Sequence, residues 1–244
     1  MAKKKQTIVG SALTPDSLLE FGAVKRFPPP ATDFRPDGSW QQSYRIWTCH
    51  GYKESGNDNV GAMRLARAAK SDGTFLLEVH QTVVQVDGLT CNIKANIECR
   101  RNVLGSPAQW DIHTTFVGED GAQMPELESR KRGQATSDVD RTTGDWCLFE
   151  VAQRLDYDKD TSLDFDLLEG LELSKLSQRL TYRGVSPTKI EGAGRMHCFA
   201  QVGAGILPTE YWLDDKHRLL CVISMNKAYI LDGKAFDVIK APAW

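Results

Sequence analysis

No apolar run long enough for a membrane-crossing helix occurs in these 244 residues; such a helix needs roughly 20 in a row. Paired cysteine motifs are missing too. The 6 cysteines (Cys49, Cys91, Cys99, Cys147, Cys198 and Cys221) are scattered with no Cys-x-x-Cys among them. This excludes a zinc ribbon and a c-type haem attachment. Charge of one sign is not in excess. With 30 Lys and Arg against 32 Asp and Glu, the formal net charge is −2, so nothing draws the whole chain to nucleic acid or anionic lipid. The glycine loops GxGxxG and GxxxxGK[ST], the GxSxG nucleophile turn and the HExxH zinc helix are all absent. The basic start, MAKKKQTIVGSALTP, lacks the apolar stretch of a signal peptide. Two locations follow as expectations: cytoplasmic, or periplasmic if a leader was removed ahead of Met1.

What is present is alternation. In LTCNIKANIECRR, Leu89, Cys91, Ile93, Ala95, Ile97 and Cys99 fall on one side and polar residues on the other. That is the pattern of an antiparallel strand with one dry and one wet face. TFLLEVHQTVVQV precedes it across Asp87-Gly88, a strong hairpin signal. AQWDIHTTF continues the pattern with Trp110, Ile112 and Phe116 inward. The best helix is DWCLFEVAQRL, with Asp145 as its cap and an apolar band through Trp146, Phe149, Val151, Ala152 and Leu155. Further strands follow in LSKLSQRLTYRG, RMHCFAQVGAG, ILPTEYWLD, RLLCVISM and AYILDG. Residues 1–42 read as an N-terminal leader segment: a short helix capped by Thr14, with Pro15 in its first turn, then a Pro-rich connector. Residues 43–244 read as a single β-rich domain, with a polar loop at 118–144 and a helix at 145–155.

So many amphipathic strands present more apolar surface than one main helix can cover while the sheet stays flat. The expected fold is therefore mainly β: one long curved antiparallel sheet, a half-barrel or barrel, wrapped around one main α-helix. The interior is then either filled by side chains or left as a ligand cavity. The cysteines on these strands read as buried free thiols, with one or two disulfides if the chain is exported.

The part from residue 143 onward resembles a family of uncharacterised bacterial exported proteins related in architecture to the lipoprotein carrier LolA. The resemblance rests on the helix GDWCLFEVAQRL, the acidic LDYDKDTSLDFDLLEG, and the strands LTYRGVSPTKI and GRMHCFAQVG. It also rests on LPTEYWLDDKHRLLCVISMNKAYIL, where Trp212-Leu213-Asp214-Asp215 precedes Arg218-Leu219. It implies a half-barrel around a helix, a periplasmic location in most relatives, and carriage of hydrophobic ligands in some.

The leading expectation is a non-enzymatic carrier for a lipid or other apolar ligand, held in a cleft between the sheet and the helix. By alternation its liners are Trp110, Phe116, Trp146, Phe149, Trp212, Ile223 and Met225. No cofactor, metal, nucleic-acid partner or membrane span is implied. A second reading is a metal-dependent enzyme in which His50, His80 and His113 converge across a sheet, although no close His spacing supports it. A third is a structural subunit that docks a protein partner through loop 118–144. The acidic run after the helix lacks the glycine of a calcium loop, with Thr161 in its place, and reads as a solvated turn.

Overall fold

The computed structural model describes residues 13–49, 57–135 and 139–237. His50 and the basic run at residues 3–5 lie outside them.

All 13 strands of the described residues form a single sheet. Its first half is an up-and-down run of β1 (Trp40–Thr48), β2 (Asn59–Ala69), β3 (Phe75–Val84), β4 (Thr90–Cys99) and β5 (Pro107–Val117), with β6 (Ser129–Gln134) at the free edge. The second half runs from β7 (Thr142–Gly144) at the other edge through β8 (Ser162–Glu169), β9 (Leu173–Pro187), β10 (Arg195–Gly203), β11 (Thr209–Leu213) and β12 (Leu219–Ser224) to β13 (Lys227–Leu231). β13 pairs with β1 and joins the halves. Every pairing is antiparallel except β7 with β8. A parallel pair needs a crossover, and here the crossover is the helix α2 (Asp145–Arg154). That connection carries α2 onto one face of the sheet, and the sheet curves around it.

Local sequence explains the turns. Gly88, with φ +83°, closes the β3–β4 hairpin, where Asp87 Oδ1 accepts the Leu89 N–H at 3.1 Å. The β11–β12 turn is held by Asp214, whose Oδ1 accepts N–H groups from Lys216 at 2.9 Å and Arg218 at 3.0 Å.

Pairing register shows which way each side chain points. Phe149 of α2 meets Tyr44, Tyr211 and Tyr229 edge-on, with ring centroids 5.6, 6.2 and 5.2 Å apart. Those tyrosines therefore mark the concave face. Every residue of α2 from Trp146 to Gln153 is buried, so the helix is the core of the molecule and not a cover laid on it. Two polar ties fix it there. Glu150, fully buried, receives Arg67 Nε at 2.8 Å and Arg154 Nε at 2.6 Å. Gln153 exchanges amide hydrogen bonds with Gln42 at 2.9 and 3.2 Å and accepts the Leu219 N–H at 3.2 Å.

The convex face is covered over part of its area. Thr14 caps the short helix α1 (Pro15–Glu20), and Pro15 opens it. Leu18 within it, and Ala23, Val24 and Phe27 after it, are buried in the same core cluster as Ile223 and Ile230. Arg45, beside Ile230 in the β1–β13 register, donates to the Ala23 carbonyl at 2.7 Å. The β9–β10 turn supports this segment, with the Phe27 N–H donating to the Glu191 carbonyl at 2.9 Å.

Several expectations change. Within 118–144, expected as a polar loop, the structure places β6, β7 and two short 3₁₀ turns. β8 occupies the acidic stretch expected as a turn. The N-cap of α2 is Gly144, and Asp145 is its first residue. Lys131 on the β6 edge reaches Glu172 in the β8–β9 turn, 2.6 Å apart, yet among the described residues no ladder joins the β6 and β7 edges.

Candidate functional site

Where α2 begins, the helix and the concave face part. The gap is a cleft of about 360 Å³, within the range of roughly 300–1,000 Å³ common for small-molecule sites. Trp146 and Phe149 form its helical wall, and Tyr211, Val222 and Tyr229 its sheet wall. Ile206 and Leu207, in the β10–β11 connection, stand at its mouth, with Lys227 on the rim. β11, β12 and β13 deliver Tyr211, Val222 and Tyr229 because these three sit opposite one another in the register.

The polar lining is specific. Asp145 projects from the first turn of α2, and its carboxylate accepts the Trp146 N–H at 3.0 Å and the Gly170 N–H at 3.3 Å. Burial pushes its pKa up to about 6; the two backbone bonds oppose that, and the nearby Glu169 carboxylate adds to it. The phenols of Tyr211 and Tyr229 are raised as well, first by burial and then by the charge of Asp145. Tyr211 donates to Gln201 Oε1 at 3.0 Å, and Gln201 Nε2 is buried with no partner among the described residues.

The expected liners divide sharply. Trp146 and Phe149 line the cleft. Trp110 is half-buried on β5, far along the sheet, with its ring against the backbone of Gly133. Phe116 is half-buried opposite Cys91. Trp212 and Ile223 are buried on the convex face, where Trp212 pairs with Cys221 and Ile223 with Ala228. The mistake is one of parity: side chains alternate along a strand, and Tyr211 and Val222 are the neighbours that face the cleft. Met225 lies in the β12–β13 turn and is 62% exposed. Alternation alone missed Asp145, Gln201 and Tyr229.

The expected histidine convergence does not form among the described residues. His80 and His113 both lie beside Lys94, one on each side of it. His80 Nδ1 meets Arg64 at 2.9 Å and His113 Nε2 meets Glu128 at 2.6 Å. No three His, Cys, Asp or Glu side chains of the described residues are grouped to hold a metal ion. A different histidine cluster closes the far end of α2. Tyr157 is stacked between His197 and His217, at 3.6 and 4.0 Å. His197 Nε2 meets the Asp215 carboxylate at 2.9 Å, and His197 Nδ1 shares a hydrogen bond of 2.7 Å with the Tyr182 hydroxyl. The stack pins the chain after α2 to β9, β10 and the β11–β12 turn.

No helix among the described residues is long and apolar enough to cross a membrane. No protein-family model matches the chain, and no curated protein matches it. Among solved structures it is similar to a β-barrel-like protein of a domain of unknown function, DUF1849, from Brucella abortus. That likeness has a TM-score of 0.47 and 7% sequence identity, over 80% of this chain and 96% of that one.

Proposed function

We propose that the chain is a binding protein that takes a small, largely apolar molecule in the cleft at the start of α2. The observation that carries this reading is the cleft itself: a fully enwrapped helix leaves one end of the concave face unfilled, and aromatic side chains wall that space. Apolar surface buried there contributes about 25 cal/mol per Å². The LolA-like resemblance of residues 143–244 supports the same reading. The volume favours a short-chain or single-ring molecule over a whole phospholipid.

Calorimetric titration with hexanol, hexanoate and hexyltrimethylammonium tests it. At least one of the three is expected to bind the delipidated chain. Leu207→Trp, at a mouth position that is 47% exposed, should block that binding and leave the fold intact. Failure of all three probes to bind the wild type, or binding unchanged by Leu207→Trp, overturns the reading.

A further inference from the structure

Asp145 is a carboxylate on the cleft wall that, among the described residues, takes part in no ion pair. Its hydrogen bonds come from backbone N–H groups, and the half-buried side chain opens onto the cleft, where a partly desolvated charge gains from an opposite partner. Around it stand Trp146, Phe149, Tyr211 and Tyr229. The face of an aromatic ring attracts a cation, most strongly away from water. The partial positive charge at the start of α2 is already answered by Asp145 itself, which accepts the Trp146 N–H. A second carboxylate, Glu169, also lines the cleft, and its charge helps to disfavour ionisation of Asp145. The cations near it are Lys175, 3.7 Å from Glu169, and Lys227 on the exposed rim.

Resting on the binding function proposed above, we infer that the ligand carries a protonated amine or quaternary ammonium group, seated against Asp145 within the aromatic walls. Its apolar remainder points toward Ile206 and Leu207. The cation supplies the counter-charge that the fold withholds from Asp145. An anion would instead meet two carboxylates, and a neutral molecule would leave Asp145 unpaired.

The groups facing the ammonium position are Asp145 on α2, Glu169 on β8, Tyr211 on β11, and Lys227 and Tyr229 on β13. Of these, Asp145 changes charge near neutral pH, at about 6. Affinity for a permanent cation therefore rises from pH 5 to pH 8.

The test is calorimetric titration with hexyltrimethylammonium and with hexanol, its neutral counterpart, in wild type, Asp145→Asn and Glu169→Gln. In wild type at pH 8 the cation should bind at least tenfold more tightly than hexanol. Asp145→Asn should remove most of that advantage, the cation losing far more affinity than hexanol does. Glu169→Gln, at an exposed carboxylate, should weaken the cation by a smaller factor. The wild-type pH series gives the same answer without any substitution. Hexanol binding as tightly as the cation, or a cation affinity flat across pH 5–8, overturns this inference and leaves the binding function standing. If neither probe nor hexanoate binds, both fall together.

Discussion

Asp145 shows how much one side chain depends on its surroundings. A free aspartate ionises near pH 3.9; here burial raises that to about 6. The folded chain thus holds the proton more tightly than the unfolded chain does. Stability linked to Asp145 is fully present below about pH 4 and is lost as pH rises through about 6. Asp145→Asn removes that dependence and keeps a side-chain oxygen for the Trp146 N–H. The variant should be more stable than wild type at pH 8, by at most about 3 kcal/mol, and the difference should shrink toward zero at pH 4. Urea denaturation at the two pH values measures it. The role of Asp145 is not legible in the sequence, because an aspartate ahead of an apolar band looks like a helix cap. The chain gives that position to Gly144 instead.

At the scale of elements, legibility follows burial. β4 reads cleanly only from Lys94 to Cys99, where Ala95, Ile97 and Cys99 are buried and Lys94, Asn96 and Glu98 exposed; before that the sides reverse, with Thr90 and Asn92 buried and Cys91 and Ile93 half-buried. β12 does not: Leu219, Leu220, Cys221, Val222 and Ile223 are all buried, so apolar residues fill both faces and parity cannot be chosen. That is why Ile223 is expected in the cleft while Val222 is found there. β6, SRKRGQ, carries no apolar residue and is defined by its backbone bonds to β5. Its Arg130, Lys131 and Arg132 also suit an edge strand, where charge discourages pairing with another chain. β8 did carry a signal, with Leu163, Phe165 and Leu167 alternating against Asp164 and Asp166, but its acidity reads first as a turn. The helix α2 was legible in extent but not in depth. Its buried Glu150 offers nothing to predict without Arg67, which lies 83 positions away. Removing one partner of a buried pair leaves the others uncompensated, so Glu150→Ala should destabilise the chain by about 3–5 kcal/mol. Arg154→Ala, with the outer partner 19% exposed, should cost less. Thermal or urea unfolding of both variants ranks them, and equal losses would contradict the buried-triad description.

At the scale of the molecule, the imbalance between amphipathic strands and helix predicts a bent sheet, and the 13-stranded sheet curves around α2. The covering of the convex face is the part the sequence hides. Leu18, Val24 and Phe27 follow no helical or strand period, yet each is at most 2% exposed, and they shield the outward side of strands that lack a wet face. With that side covered and α2 filling most of the concave side, the space at the start of the helix remains for a ligand. Diffraction from crystals of the delipidated chain soaked in hexanol tests this most directly. The account predicts density for the alcohol between Trp146, Phe149, Tyr211 and Tyr229, with α2 enclosed by the sheet. Side chains filling that space, with hexanol bound elsewhere or not at all, would contradict it.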